Sequence, residues 1–295
     1  MTAPHLGLAL LVVVLWTLSF LAVKLGLRDI PPLALSTARL ILTSLPWVLI
    51  LPRPPVAWYK LAQYGIFMFA LQLGLLATGI HLGVPAGLAA VLLQVHVFVT
   101  AVLAALFLNE RPGRWQVLGA LIAFSGLGLV AWHAGAITGT RPVLGLLLML
   151  LAATAWGAAN IVSKRLGKVD LLALIAWGSL FSWPPLLLAS LALEGPQVVW
   201  SSFQNLSGVG LGAILYMAYF GTFLAYALWS KLLYLYPATQ VAPFTLLVPV
   251  LTLLSSAAVL DEPLSWWKLC AAGLVLTGVL TATFGARAVQ RFQRA

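Results

Sequence analysis

Apolar residues in this chain fall into long unbroken runs, not into the short alternating stripes of half-buried strands or the narrow faces of surface helices. Ten runs stand out, at roughly 5–25, 31–51, 61–81, 85–108, 114–132, 143–163, 170–192, 207–230, 237–260 and 266–286. Each approaches the about 20 residues that a helix needs to cross a bilayer core. Clusters of Pro, Gly and charge separate them, such as Arg28-Asp29-Ile30-Pro31-Pro32, Pro52-Arg53-Pro54-Pro55 and Asn109-Glu110-Arg111-Pro112-Gly113. The third and fourth runs nearly touch, but Gly83 and Pro85 supply a turn. The pattern predicts an all-α polytopic membrane protein of ten transmembrane helices.

The runs also repeat. With residue i laid on residue i+152, Pro85 meets Pro237, Ala86 meets Ala238, Thr100 meets Thr252, Glu110 meets Glu262, Trp115 meets Trp267 and Gly126 meets Gly278. Upstream the offset is 140, so that Trp16 meets Trp156 and Lys24 meets Lys164. Two halves follow, 1–133 and 143–286, with a basic tail at 287–295. Five crossings per half force the second half into the opposite orientation. Inverted repeats around a midplane site are an architecture of alternating-access carriers.

Charge settles the expected orientation. With the N-terminus inside, eleven Lys and Arg residues fall on the cytoplasmic side, among them Arg53, Lys60, Arg111, Arg114, Lys164, Arg165, Lys168 and Lys231. Only Lys24, Arg28, Arg141 and Lys268 fall on the other side. The positive-inside rule then places both termini in the cytoplasm, in keeping with an even number of spans. The net charge of +10 is therefore orientational, and no nucleic-acid partner is expected. Composition agrees: 62% of the 295 residues are hydrophobic and 7% are charged, against about 25% charged in soluble domains. The single cysteine, Cys270, excludes an internal disulfide and reads as a small packing residue.

Each half contains a span closed by a Glu, then a polar turn and a Gly-rich span: Leu108-Asn109-Glu110 through Gly126, and Leu260-Asp261-Glu262 through Gly278. In this the chain resembles the EamA domain of the drug/metabolite transporter superfamily, twice over and along its whole length. Within that family it is most similar to bacterial O-acetylserine/cysteine exporters, through LALLVVVLWTLSFLAVKLGL at 8–27, PPLAL at 31–35, VPAGLAAVLLQ at 84–94 and VAPFTLLVPV at 241–250. Many relatives carry Pro where the first half has Val97, as the second half has Pro249. The resemblance implies ten spans, export from the cytoplasm and a central cavity lined by spans 1, 3, 4, 6, 8 and 9. It leaves the substrate open between small amino acids and other metabolites, such as aromatic amino acids or drugs.

Polar side chains inside the spans are the candidate machinery, because they are costly in lipid and turn toward partners or wet cavities. At 1.5 Å per residue, Gln72 lies about 17 Å into span 3, Gln94 about 14 Å into span 4, Thr222 about 22 Å into span 8 and Thr245 about 12 Å into span 9. Uncharged amides and hydroxyls suit a zwitterion or a neutral polar solute; the same groups also serve as interhelical hydrogen bonds. Trp16 and Trp156 each share a helix face with a polar residue, Ser19 and Asn160, as expected of an amphipathic cavity wall. Tyr219, Tyr226 and Trp229 are candidates for its cytoplasmic part, and Tyr234 and Tyr236 for the interfacial belt.

Candidates for coupling or gating are His81, His96 and Arg39. His96 follows Gln94 by two residues, about 200° round an ideal helix, so the two are not expected to face the cavity together. Arg39 either snorkels or pairs with Asp261 or Glu262. Glu110 and Glu262 oppose the helix dipole where they stand; a cationic neighbour, such as Lys231 for Glu110, would explain them, and they are expected to close each half structurally and not to take part in transport. Small residues Gly119, Ala123 and Gly126 in span 5 match Ala271, Ala272 and Gly278 in span 10. These two spans are expected to pack together away from the cavity, with a dimer face as the other use, so monomer and homodimer both stand.

No acidic residue lies inside a span. No H-E-x-x-H, paired aspartate or Ser/His elbow argues for an intramembrane enzyme. No metal site or cofactor is expected. A scramblase or passive anchor has less support than a carrier of small molecules, because neither calls for inverted repeats with midplane amides.

Overall fold

The computed structural model describes residues 1–109, 113–134, 140–236 and 238–292. Glu110, and with it the expected contact to Lys231, lies outside the described residues. Every regular element described is helical. These elements are α1 (Ala3–Gly26), α2 (Pro32–Val48), α3 (Trp58–His81), α4 (Ala86–Leu108), α5 (Arg114–Ala134), α6 (Thr140–Leu166) and α7 (Leu171–Leu193). A short α8 (Pro196–Gln204) follows, then α9 (Gly208–Leu235), α10 (238–260) and α11 (Trp266–Phe292). Seven of the described helices are long and apolar enough to cross a membrane, and two shorter apolar stretches, Arg114–Val130 and Phe244–Leu260, join them.

Local chemistry starts and stops these helices. Pro32 and Pro196 open α2 and α8, where a missing N–H costs nothing. Asp170 caps α7 by accepting from the Ala173 amide at 2.7 Å, and Ser207 caps α9 through the Gly210 amide at 3.1 Å. At the ends of α4 and α10, Asn109 and Asp261 both take left-handed backbone at φ 54°. That geometry terminates a helix, and Asn and Asp tolerate it better than other non-glycine residues.

Four helices depart from regular winding, at corresponding places in the two halves. Residues Ile66–Leu71 of α3 and Tyr216–Leu224 of α9 form π-helical turns. Within α4, the amides of Gln94, Val95, Val97 and Phe98 bond three residues back, and within α10, Ala242–Leu246 is a 3₁₀ segment. Such interruptions inside helices cluster at functional sites.

Packing joins like elements: α2 lies against α7, α4 against α10 and α5 against α11. Helix α1 packs on α9 and α10, and α6 packs on α3 and α4. The closest approach is between α5 and α11. A Cβ at Gly119 would meet the Gly278 carbonyl at 2.3 Å, and one at Gly278 would meet the Gly119 carbonyl at 2.4 Å. Only glycines permit this distance, and in lipid close packing is what holds helices together. Cys270, expected as a packing residue, is exposed on the outer face of α11.

Candidate functional site

The helices enclose a cavity of about 470 Å³ between the two halves, within the range of about 300–1,000 Å³ typical of small-molecule sites. Its lining runs from mid-helix to the ends marked by Tyr64, Ser163, Leu171, Leu233 and Thr283. This is the end of the bundle that also carries the start of α1, where the Thr2 amide and the His5 ring meet the Tyr236 hydroxyl just past α9. The opposite end is packed shut. Ile30, Leu35, Ile80 and Leu88 are each 2% exposed or less in one apolar cluster.

Carboxylates latch that closed end. Glu194, at the end of α7, accepts from the Leu33 and Ala34 amides at 2.7 and 3.0 Å. Glu262, just past α10, accepts from the Ala86 and Gly87 amides at 3.0 and 3.4 Å. Asp29 accepts from the amide and hydroxyl of Ser207 at the start of α9. Each link crosses between halves, and each satisfies N–H groups that a helix N-terminus leaves open to an anion. Glu262 has a cationic neighbour, Lys268, and beside it a partner that was not expected, the positive end of α4.

Most of the polar residues expected at the site come together in the cavity. Trp16, Ser19, Gln72, Gln94, Trp156, Asn160, Tyr226 and Thr245 line it, as do Arg39 and His96. Gln72 and Gln94 are only 5% and 9% exposed. Neither amide side chain has a hydrogen-bond partner among the described residues, so both present their polar atoms to the cavity. Asn160 is held by its own amide donating to Thr100 Oγ1 at 3.0 Å, and Ser19 donates to the Leu15 carbonyl at 3.0 Å. The walls are aromatic. Trp16 lies 5.4 Å from Tyr226 and 5.2 Å from Trp229 between ring centroids, and His96 stacks flat on Trp156 at 4.1 Å and 7°.

Five expectations change. His96 and Gln94 both face the cavity, because the tightened turn at 94–95 narrows their separation, measured the short way round, from about 160° to about 120°. His96 Nδ1 is tied to the Leu93 carbonyl at 2.7 Å, which orients the ring. Arg39 pairs with neither Asp261 nor Glu262. Its Nη2 donates to Thr222 Oγ1 at 3.0 Å, while Thr222 donates in turn to the Met217 carbonyl at 2.8 Å across the π turn. Thr222 therefore stands behind Arg39 and not in the cavity wall. His81 is exposed at the end of α3, away from the cavity. Finally, Val279, Thr283 and Phe284 of α11 reach the cavity, so that helix is not scaffold alone.

Sequence reasoning missed Tyr64, Met68, Ser163 and Thr283. Tyr64 and Ser163 sit near helix ends, where depth arithmetic discounts them, and Met68 carries no polar signal. Tyr234 and Tyr236, expected in the interfacial belt, lie near the end of α9 that the cavity reaches. Tyr234 is 89% exposed, and the Tyr236 hydroxyl bonds the Thr2 amide and the His5 ring.

This bundle, with its cavity between paired halves, has counterparts. The EamA-like transporter family model matches residues 4–132 and again 143–284, and the chain belongs to that family. It is a membrane transporter and not an enzyme. A probable amino-acid metabolite efflux pump of Salmonella typhimurium is 36% identical over 285 residues, 95% of each chain. A protein of the same description from Escherichia coli is 35% identical over 95% of each chain. An uncharacterized transporter of Archaeoglobus fulgidus is 26% identical over 91% of this chain and 95% of that one. One crystal structure superposes with a TM-score of 0.62 at 18% identity, covering 98% of this chain and 99% of that one, which supports the fold alone.

Proposed function

We propose that the chain exports a small amino acid or related metabolite, with O-acetylserine and cysteine the first candidates, by alternating access. In this reading ten spans form two inverted halves, residues 1–133 and 143–286, that rock about the cavity. Residues Trp16, Ser19, Gln72, Gln94, Trp156, Asn160, Tyr226 and Thr245 form the binding surface, and Arg39 and His96 border it. The observation that carries the reading is the pair of buried amides, Gln72 and Gln94, unpartnered among the described residues and set among aromatic walls between the halves. An amide left without a protein partner costs about 1–3 kcal/mol, which a polar solute or water in the cavity offsets. The names of the Salmonella and Escherichia relatives favour amino-acid metabolites over other cargoes and efflux over uptake.

Proteoliposomes preloaded with labelled O-acetylserine, cysteine and a panel of other amino acids test this. Saturable efflux of at least one of them is expected. Movement of organic cations or nucleotide sugars only would reject the substrate class.

Both termini lie in the cytoplasm of the bacterial inner membrane in this reading, so the cavity mouth faces the cytoplasm, where an exporter loads. In intact cells, a membrane-impermeant maleimide is expected to leave an Ala295→Cys variant, made in a Cys270→Ala background, unlabelled until the cells are permeabilised. Labelling before permeabilisation would reverse the orientation.

A further inference from the structure

We propose that Arg39 binds a carboxylate of the transported solute, and so confines the substrates to carboxylic acids, α-amino acids among them. The proposal deepens the transport reading and rests on it, in that it takes the cavity as the substrate site.

The guanidinium lies in the cavity wall, midway along α2. It has five N–H donors. Among the described residues it spends one, on Thr222, whose own bond to Met217 holds that side of the fork in place. Its remaining donors have no hydrogen-bond acceptor among the described residues, and the polar group nearest in its field is the neutral Tyr226 hydroxyl. The described acids are engaged elsewhere: Asp29, Glu194 and Glu262 at the closed end, and Asp170 at its own helix start. Asp261 is exposed at the end of α10. No Asp or Glu stands among the described lining residues. A cation at this depth without a counter-charge is costly, so the site favours an anion.

The kind of anion follows from the geometry. A planar fork with free parallel N–H groups matches a carboxylate in bidentate fashion. A phosphomonoester carries about −1.5 to −2 charges at neutral pH, and one guanidinium in an aromatic cavity leaves such a group undercompensated. A monoanion fits. The other end of an amino acid also finds partners: the Trp16, Tyr226 and Trp229 faces attract an ammonium, and the amide oxygens of Gln72 and Gln94 accept from it. An amine that lacks the carboxylate would meet an unneutralised guanidinium and is disfavoured.

The test pairs each acid with its carboxyl-blocked or decarboxylated form: O-acetylserine with its methyl ester, leucine with its methyl ester, and cysteine with cysteamine. Binding is read as a ligand-dependent shift in melting temperature of the full-length protein in detergent, and transport as efflux from proteoliposomes. Wild-type protein should prefer each acid over its partner by about 10-fold or more. Arg39→Gln should weaken the acids about 10- to 100-fold and bring acid and partner level. Arg39→Lys, which keeps the charge and loses the fork, should narrow the gap without closing it.

Equal affinity of acid and ester in the wild type overturns the proposal. So does an acid preference that survives unchanged in Arg39→Gln, or in Arg39→Lys should the first variant not assemble. If the acids bind with this dependence on Arg39 but no solute crosses, the transport reading fails and the carboxylate site stands.

Discussion

Gly119→Leu is expected to abolish recovery of folded protein, while Gly128→Leu on the same helix leaves it intact. The two glycines differ only in what a side chain would meet. At Gly119 the first added carbon already lies 2.3 Å from the Gly278 carbonyl and 2.7 Å from the Ala282 backbone nitrogen of α11. At Gly128 nothing lies within 4 Å, so a leucine there points away from the bundle. Overpacking a core costs about 1–3 kcal/mol when flexible side chains can yield. Backbone on a facing helix cannot rotate away, so α5 and α11 would have to separate along their shared length. Their close contact is also what replaces the hydrophobic drive that lipid does not supply. The loss is therefore expected at or beyond the upper end of that range, with the mirror variant Gly278→Leu behaving alike. Monodispersity on gel filtration and melting temperature decide it. A Gly119→Leu protein that purifies and melts like wild type would show that the tight crossing is not what holds these helices.

This crossing was legible as a run of small residues, and so was much of the rest. Run length alone marked the helices, because a chain so short of charge has no other solvent than lipid. Depth arithmetic brought Gln72, Gln94 and Thr245 to one region, because regular helices convert residue number into height. It failed where winding is irregular. The turn at Gln94–Val95 has no Pro or Gly to announce it, so the joint placement of Gln94 and His96 was not foreseeable from an ideal helix. The Arg39 pairing failed for a different reason. Asp261 and Glu262 were counted as free charges, yet Glu262 is bound by the amides opening α4, 176 residues earlier in the chain. Backbone amides at helix starts do not stand out in a sequence as charges do. His81 was placed by type alone, and its helix-end position leaves it outside.

Leucine at Gln72 or Gln94 should lower transport about five- to hundred-fold while leaving the protein folded. The sequence alone allowed both amides to be interhelical glue, in which case their loss would register in assembly. The geometry separates the two roles, because among the described residues neither amide bonds another helix, and both are at least nine-tenths buried beside the cavity. Among the described residues, replacing them breaks no protein–protein hydrogen bond. Even an average interhelical bond in a membrane bundle is worth only about 0.6 kcal/mol, so Gln72→Leu and Gln94→Leu should insert, purify and melt within a few degrees of wild type. A solute that used the amide, by contrast, loses its partner on entering the cavity, at about 1–3 kcal/mol, which converts to roughly five- to hundred-fold in affinity. Gln72 comes from α3 beside its π turn and Gln94 from α4 at its tightened turn. If they hold different groups on the solute, the two losses should multiply in the double variant, and if they share one group the double variant should be no worse than the poorer single. Expression, melting temperature and initial efflux rate, measured on all three proteins, read each part of this. Wild-type efflux by well-folded Gln72→Leu and Gln94→Leu would remove both amides from the transport path.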